Sequence, residues 1–247
     1  MTTEKLWKKP VFWCYGSAAT AFGIKNNAFS YLLLLYCTEV LGIPGYKESI
    51  ALAVAMIWDA VSDLLLGHWS DKTSSRLGRR HPFMYAALLV LPVSFYLLFD
   101  PAIELHEGNA FTYVLVMSLL IRTGTTLFEM PSTALLPDLE KDYDRRNQWL
   151  SLRYFFGWYG GNGIHIVNMM FWAGAYGFAV QRGYTIYATA GALLIFLSIV
   201  VSSFGTQREA SALPRPADTF KLGDIASEVR QMFESLKNPN FKALFLY

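Results

Sequence analysis

Asp59 and Asp63 stand four residues apart inside an apolar segment, with Ser62 beside them. At helical spacing both carboxylates share a face, about 6 Å apart along the axis. Two carboxylates and a hydroxyl form a hard, oxygen-rich site suited to a small cation. Like charges this close repel, and either Na⁺ or H⁺ relieves the repulsion. Neutralisation by Arg122 or Lys25 is the structural alternative for the same pair. Glu129 and Arg153 form a second set. A carboxylate and a guanidinium facing one cavity bind sugar hydroxyls through paired hydrogen bonds. The bland counterpart is a Glu–Arg bridge that only holds two helices together. Arg122 lies seven residues before Glu129 on the same face but about 10 Å away, so each is expected to find its partner on another helix. Met130-Pro131 follows Glu129, and the proline predicts a kink that turns freed backbone carbonyls toward a cavity.

These groups are conspicuous because of their surroundings. The chain has 247 residues, of which 53% are apolar and 16% charged, against about 25% charged in a soluble domain. From Val11 to Val40 the charges are Lys25 and Glu39, and Gly183 to Thr206 carries none. Apolar runs of that length cross a bilayer. They exclude a secreted disulfide-rich mini-protein, a disordered tail and a nucleic-acid-binding domain. An ionisable group within a span costs about 2.5–3.5 kcal/mol on insertion scales, so each needs a reason to be there. Lys25, Asp59, Asp63, Arg122, Glu129 and Arg153 supply three acids and three bases that balance within one polar interior. Cys14 and Cys37 fall in the first apolar segment and read as packing residues. No HExxH, GxSxG or Cys/His cluster points to an intramembrane enzyme, and no cofactor is implied.

An all-α membrane protein must position these side chains. Six spans are predicted, at about Val11–Leu41, Tyr46–Trp69, Pro82–Phe99, Ala110–Leu136, Trp149–Trp172 and Tyr184–Phe204. Residues 1–206 form a six-helix transmembrane bundle on this reading. Residues 207–238 form a cytoplasmic segment with an amphipathic helix, and residues 239–247 begin a seventh span. Gly42-Ile43-Pro44-Gly45 is a turn signal between the first two spans. Lys and Arg cluster at the N-terminus, in the second and fourth connections and after the sixth span, which places the N-terminus in the cytoplasm. In the fifth span, Gly157 and Gly161 form a GxxxG motif read as a helix-packing face. His165, further along, reads as a helix–helix contact.

The second span and its loop read Trp58-Asp59-Ala60-Val61-Ser62-Asp63, then Gly67-x3-Asp71-Lys72-x3-Arg76-Leu77-Gly78-Arg79-Arg80. With Tyr15-Gly16, Tyr36-x-Thr38-Glu39-x2-Gly42, Glu129-Met130-Pro131 and Arg153-Tyr154-Phe155, this resembles the glycoside–pentoside–hexuronide:cation symporters of the major facilitator superfamily. The resemblance covers the whole chain. It implies twelve helices in two six-helix bundles around a central cavity, of which this chain is the N-terminal bundle, the middle loop and the start of the seventh helix.

The positions matching the family's cation site are Asp59, Ser62, Asp63 and Thr126, with Asp59 and Asp63 as the Na⁺ ligands. Those lining its sugar site are Glu129 and Arg153. A family acid in the first span falls here at Gly23. Lys25 and Asn26 just beyond it, with Arg122, complete the expected solute-binding set. Gly67, Asp71, Arg76, Gly78, Arg79 and Arg80 match the cytoplasmic gate, whose basic residues also suit anionic lipid. The implied activity is symport of a glycoside or other sugar with Na⁺ or H⁺ by alternating access, in the cell inner membrane. Its implied partners are the solute, the bilayer and a C-terminal six-helix bundle. Family relatives also move lysolipids, which is the second reading. A half-length chain with no transport activity is the third.

Overall fold

A computed structural model of the chain describes residues 6–73, 75–106 and 108–212, the side chain of Asp71 excepted. The expected amphipathic helix and the start of a seventh span lie outside the described residues. Among those described, the elements are all helical. The first span begins with Pro10–Ser17 and Ala19–Asn27. It continues through two π-helical turns, Ala28–Leu32 and Tyr36–Val40, which flank Leu33–Leu35. The second helix is Gly45–Lys72, the third His81–Phe99 and the fourth Ala110–Ala134. The fifth is Tyr143–Phe171 and the sixth Gln181–Ser211.

Helices occupy the stretches predicted as spans, with local differences. Gly42 takes φ 64°, and Pro44 precedes the second helix, as the turn signal indicated. The first span is not one uniform helix. At its break the Ser17 hydroxyl donates to the Cys14 carbonyl (2.9 Å), and the Ser198 hydroxyl of the sixth helix donates to the Ser17 carbonyl (2.7 Å). Side chains thus serve carbonyls that a regular ladder would have satisfied. The fourth helix runs through Pro131 and is interrupted only at Leu135, before the short helix Leu136–Leu139.

Gly45–Ser70, His81–Phe99, Ala110–Leu139 and Gln181–Ser211 are each long and apolar enough to cross a membrane. The first span falls outside that set because it is divided into short helices. The fifth is a continuous helix whose sequence is diluted by Arg153, glycines and amides. The chain is a multi-pass membrane protein.

The third helix packs against the fourth and the sixth, the first span against the fifth and the sixth, and the second helix against the fourth. Rings of Tyr36, Phe95, Phe99, Tyr184 and Tyr187 fill the space among the first, third and sixth spans, at centroid separations such as 5.0 Å for Tyr36–Tyr184 and 5.3 Å for Tyr36–Phe99. In lipid such close packing replaces the hydrophobic drive of a soluble core. The first and fifth spans approach through glycine: a Cβ on Gly23 would stand 1.9 Å from the Gly157 carbonyl oxygen, and one on Gly161 would stand 2.5 Å from that of Gly23. The GxxxG motif is thus a packing face. The His165 ring lies tilted against Tyr31 of the first span at 5.1 Å, a helix–helix contact as expected, while its buried Nδ1 has no hydrogen-bond partner among the described residues. Cys14 and Cys37 are free thiols.

Candidate functional site

The second and fourth helices bring Asp59, Ser62 and Thr126 together. The Ser62 and Thr126 hydroxyls lie 3.3 Å apart, and Thr126 Oγ1 stands 3.5 Å from Asp59 Oδ1. Both hydroxyls also donate back to helix carbonyls, Ser62 to Asp59 at 3.1 Å and Thr126 to Arg122 at 3.1 Å. Ser62 and Thr126 are buried, and Asp59 retains 25% exposure. One residue before Asp59, the Trp58 indole donates to Thr123 Oγ1 at 2.8 Å, so an aromatic strut holds these two helices in register.

Two basic side chains share the pocket. Arg122 Nη1 donates to Asp59 Oδ2 at 2.6 Å, while its guanidinium lies 5.4 Å from the centre of the Phe29 ring. Phe29 belongs to the first π-helical turn. Lys25 is 3% exposed, with its ammonium 5.0 Å from the centre of the Phe22 ring. Together Lys25, Asn26, Asp59, Asp63, Arg122, Thr126 and Glu129 line a cavity of about 280 Å³. Among the described residues no group of three or more His, Cys, Asp or Glu side chains is assembled as a metal site. Side-chain oxygens in this cavity include the carboxylates of Asp59, Asp63 and Glu129 and the hydroxyl of Thr126, with the Ser62 hydroxyl 3.3 Å from that of Thr126.

A larger cavity of about 660 Å³ opens between the first, fourth and fifth spans, with Phe22, Asn26, Asn27, Glu129, Arg153 and Trp158 among its lining residues. Arg153 donates to Ser132 Oγ at 3.0 Å and lies 5.3 Å from the Tyr15 ring centre, with its other terminal nitrogen buried and unpartnered. Glu129 and Arg153 line the same cavity without forming an ion pair, so neither the structural bridge nor a mutual pairing is present. Asn27 donates to Asn162 Oδ1 at 3.1 Å across the first and fifth spans. Tyr154 and Trp158 present rings that are 77% and 65% exposed at the mouth. Such a wall of amides, one acid, one guanidinium and flat rings can hydrogen-bond hydroxyls and stack on apolar faces of a solute.

Several expected site residues sit elsewhere than the sequence suggested. Arg122 and Lys25, assigned to the solute, line the smaller pocket and not the larger cavity. The reason is geometric: Asp59 draws Arg122 across to the second helix, and Lys25 lies two residues beyond Gly23 on a different face of the first span. Asn26 lines both cavities. Gly23, where the family pattern carries an acid, is pressed against the Gly157 backbone and leaves no room for a side chain.

Of the residues expected at a cytoplasmic gate, Arg79 donates to both Asp138 oxygens at 3.1 and 2.9 Å, and Arg80 binds Asp138 and the Ala134 carbonyl. Arg76 is exposed, Gly67 faces open space, and Gly78 adopts φ 92°. The Asp71 side chain lies outside the described residues. Asp138 and Ser132 were missed in the sequence. The signal for Asp138 was its place after Pro137, at the same end of the bundle as the Arg79-Arg80 pair; Ser132 offered none.

Residues 14–247 match the sequence profile of the MFS/sugar transport protein family. The chain belongs to this family. An uncharacterized symporter of Synechocystis is 28% identical over 158 residues, covering 62% of this chain and 29% of the relative. The sodium-dependent lysophosphatidylcholine symporter 1 of Xenopus tropicalis is 27% identical over 136 residues, or 54% of this chain and 26% of the relative. YagG of Escherichia coli, provisionally named a glycoside/cation symporter, is 27% identical over 141 residues, or 57% and 30%. The matched stretch thus spans less than a third of each of these relatives. Symport is common to their names, and the solute is not.

Proposed function

We propose that this chain is the N-terminal, six-helix half of a secondary carrier that moves a sugar-like solute together with a cation by alternating access. The observation that carries this reading is a shared wall. Phe22, Asn26 and Glu129 line both the oxygen-rich pocket of Asp59, Asp63 and Thr126 and the larger cavity of Arg153 and Trp158. Ordering one pocket therefore orders part of the other. Thermodynamic linkage makes the effect mutual: a cation that favours the solute is favoured by it to the same degree. The lining is largely apolar, through Phe22, Leu150, Tyr154 and Trp158, and its amides, Glu129 and Arg153 are the groups that suit a solute's hydroxyls. The Lys/Arg distribution supports a cytoplasmic N-terminus for this carrier.

The solute is the point on which the relatives divide. An amphipathic lysolipid is the second reading, favoured by the named lysophosphatidylcholine symporters and by the exposed Tyr154 and Trp158 rings at the cavity mouth. Reconstituting the full-length carrier in vesicles with an imposed Na⁺ or H⁺ gradient tests both. Labelled monosaccharides, phenyl glycosides and lysophosphatidylcholine are offered in turn. Gradient-driven sugar uptake that is lost in Asp63→Asn is the expected result. Uptake of lysophosphatidylcholine alone selects the second reading, and uptake of every solute down its own gradient, indifferent to either cation, overturns coupling.

A further inference from the structure

The pocket around Asp59 already contains positive charge. Arg122 places a guanidinium nitrogen 2.6 Å from Asp59 Oδ2, at the distance of a charge-assisted hydrogen bond. The Phe29 ring backs that guanidinium, and Thr126 stands on the other carboxylate oxygen. Lys25, buried beside the Phe22 ring, brings a second cation to the same cavity, which also holds Asp63 and Glu129. Three carboxylates thus face two fixed cations in about 280 Å³. A third cation entering this space would meet two like charges that cannot leave, and would find one Asp59 oxygen already engaged.

On the reading of this chain as a symporter half, we infer that Arg122 and Lys25 are resident cations that bar Na⁺ from the oxygen-rich pocket. They set which cation the carrier uses, and they are not solute ligands. Arg122 is the stronger determinant because it is bonded to a carboxylate that Na⁺ would require. Lys25 acts through charge alone, since it makes no ion pair among the described residues. A small alkali ion needs several oxygens at once. Asp63, Glu129 and Thr126 remain, but with an ammonium and a guanidinium along the same wall. Of the two cations considered for the carrier, this leaves H⁺.

The test needs no solute. Full-length carrier in nanodiscs is titrated with NaCl at constant ionic strength, choline chloride making up the balance. Binding is read by calorimetry and by the fluorescence of Trp58, whose indole braces the second and fourth helices next to Asp59. The wild type is expected to show no response specific to Na⁺. Arg122→Gln and Lys25→Gln are expected to gain a saturable Na⁺ response with an affinity at least about tenfold above wild type, and Arg122→Lys to remain silent because it keeps the charge. Should Arg122→Gln fail to elute as a monodisperse species, Lys25→Gln carries the test. A wild type that binds Na⁺ as tightly as the variants overturns the inference while leaving symport intact. Silence in every folded variant overturns it too. Absence of solute uptake, by contrast, bears on the carrier reading and not on this one.

Discussion

At the scale of single residues, Glu129 and Arg153 are neighbours along one cavity and not an ion pair. Arg153, which lines the cavity together with Glu129, is held by the Ser132 hydroxyl and the Tyr15 ring, and one of its terminal nitrogens is buried without a partner among the described residues. A guanidinium secured in this way needs no prior separation from a carboxylate before it meets a solute. Ser132→Ala should therefore weaken solute binding by about 1.5 kcal/mol, the worth of a hydrogen bond to a charged group. The full-length carrier should still fold, as size-exclusion elution would show. Glu129→Gln and Arg153→Lys should each cost about 2 kcal/mol or more of binding. Unchanged dissociation constants in all three variants would return these side chains to a structural role.

Which ionisable groups lie within the membrane was legible, because apolar sequence on either side exposes them. Which of them meet was not. The meeting of Arg122 with Asp59, and not with a solute, depends on how the second and fourth helices are rotated against each other, and sequence spacing fixes rotation only within one helix.

At the scale of elements, the first span departs most from its sequence pattern. The other spans follow their signals: Pro44 before the second helix, Pro82 in the first turn of the third, and Asp142 capping the fifth through Asp144 N at 2.9 Å. Pro131 illustrates the opposite lesson. It predicts a kink, and the helix continues past it to Ala134 without a break, since neighbouring helices can hold a helix whose ladder lacks one donor.

The packing of the first span on the fifth was foreshadowed by GxxxG, while its partner residue Gly23 was not, having no motif of its own. Gly23→Ala should destabilise the bundle by about 1–3 kcal/mol, the usual cost of overpacking, because the added carbon meets a backbone carbonyl that has nowhere to move. Gly163→Ala, whose Cβ meets nothing within 4 Å, is the matched control. Thermal unfolding in detergent compares the two. Equal midpoints would mean that the helices separate at little cost.

At the scale of the whole molecule, the polar wall is open. Tyr154, Phe155, Trp158 and Tyr159 are exposed along the fifth helix, as are Met56, Ile57 and Trp58 on the second. Glu129, Arg153, Asn26 and Asn162 line the cavity between them. Under the proposed architecture a second six-helix bundle closes this face. Without it, acids and amides would meet lipid, which a bilayer penalises. The 247-residue chain expressed alone should therefore self-associate through this face and should not accumulate solute. Single cysteines placed at positions 63 and 129, in a background free of Cys14 and Cys37, should cross-link between copies in membranes. A stable monomer that concentrates sugar by itself would refute the two-bundle arrangement.

The π-helical turn Ala28–Leu32 makes the length of the first span as consequential as its composition. A π turn accommodates one residue more than the α-helix around it. Removing one residue from Ala28–Leu32 would let the segment relax to α-helical pitch while the stretches on either side keep their facing, because the wide turn is what absorbs the extra residue. The same deletion within the α-helical stretch Ala19–Asn27 would turn everything N-terminal to it by about 100° relative to the rest. A deletion at Ile24 would therefore swing Gly23 off the Gly157 backbone, whereas one at Ser30 would leave that contact in place. Paired cysteines at positions 27 and 162 should still cross-link after the Ser30 deletion, and failure to do so would show that the turn does not absorb the change.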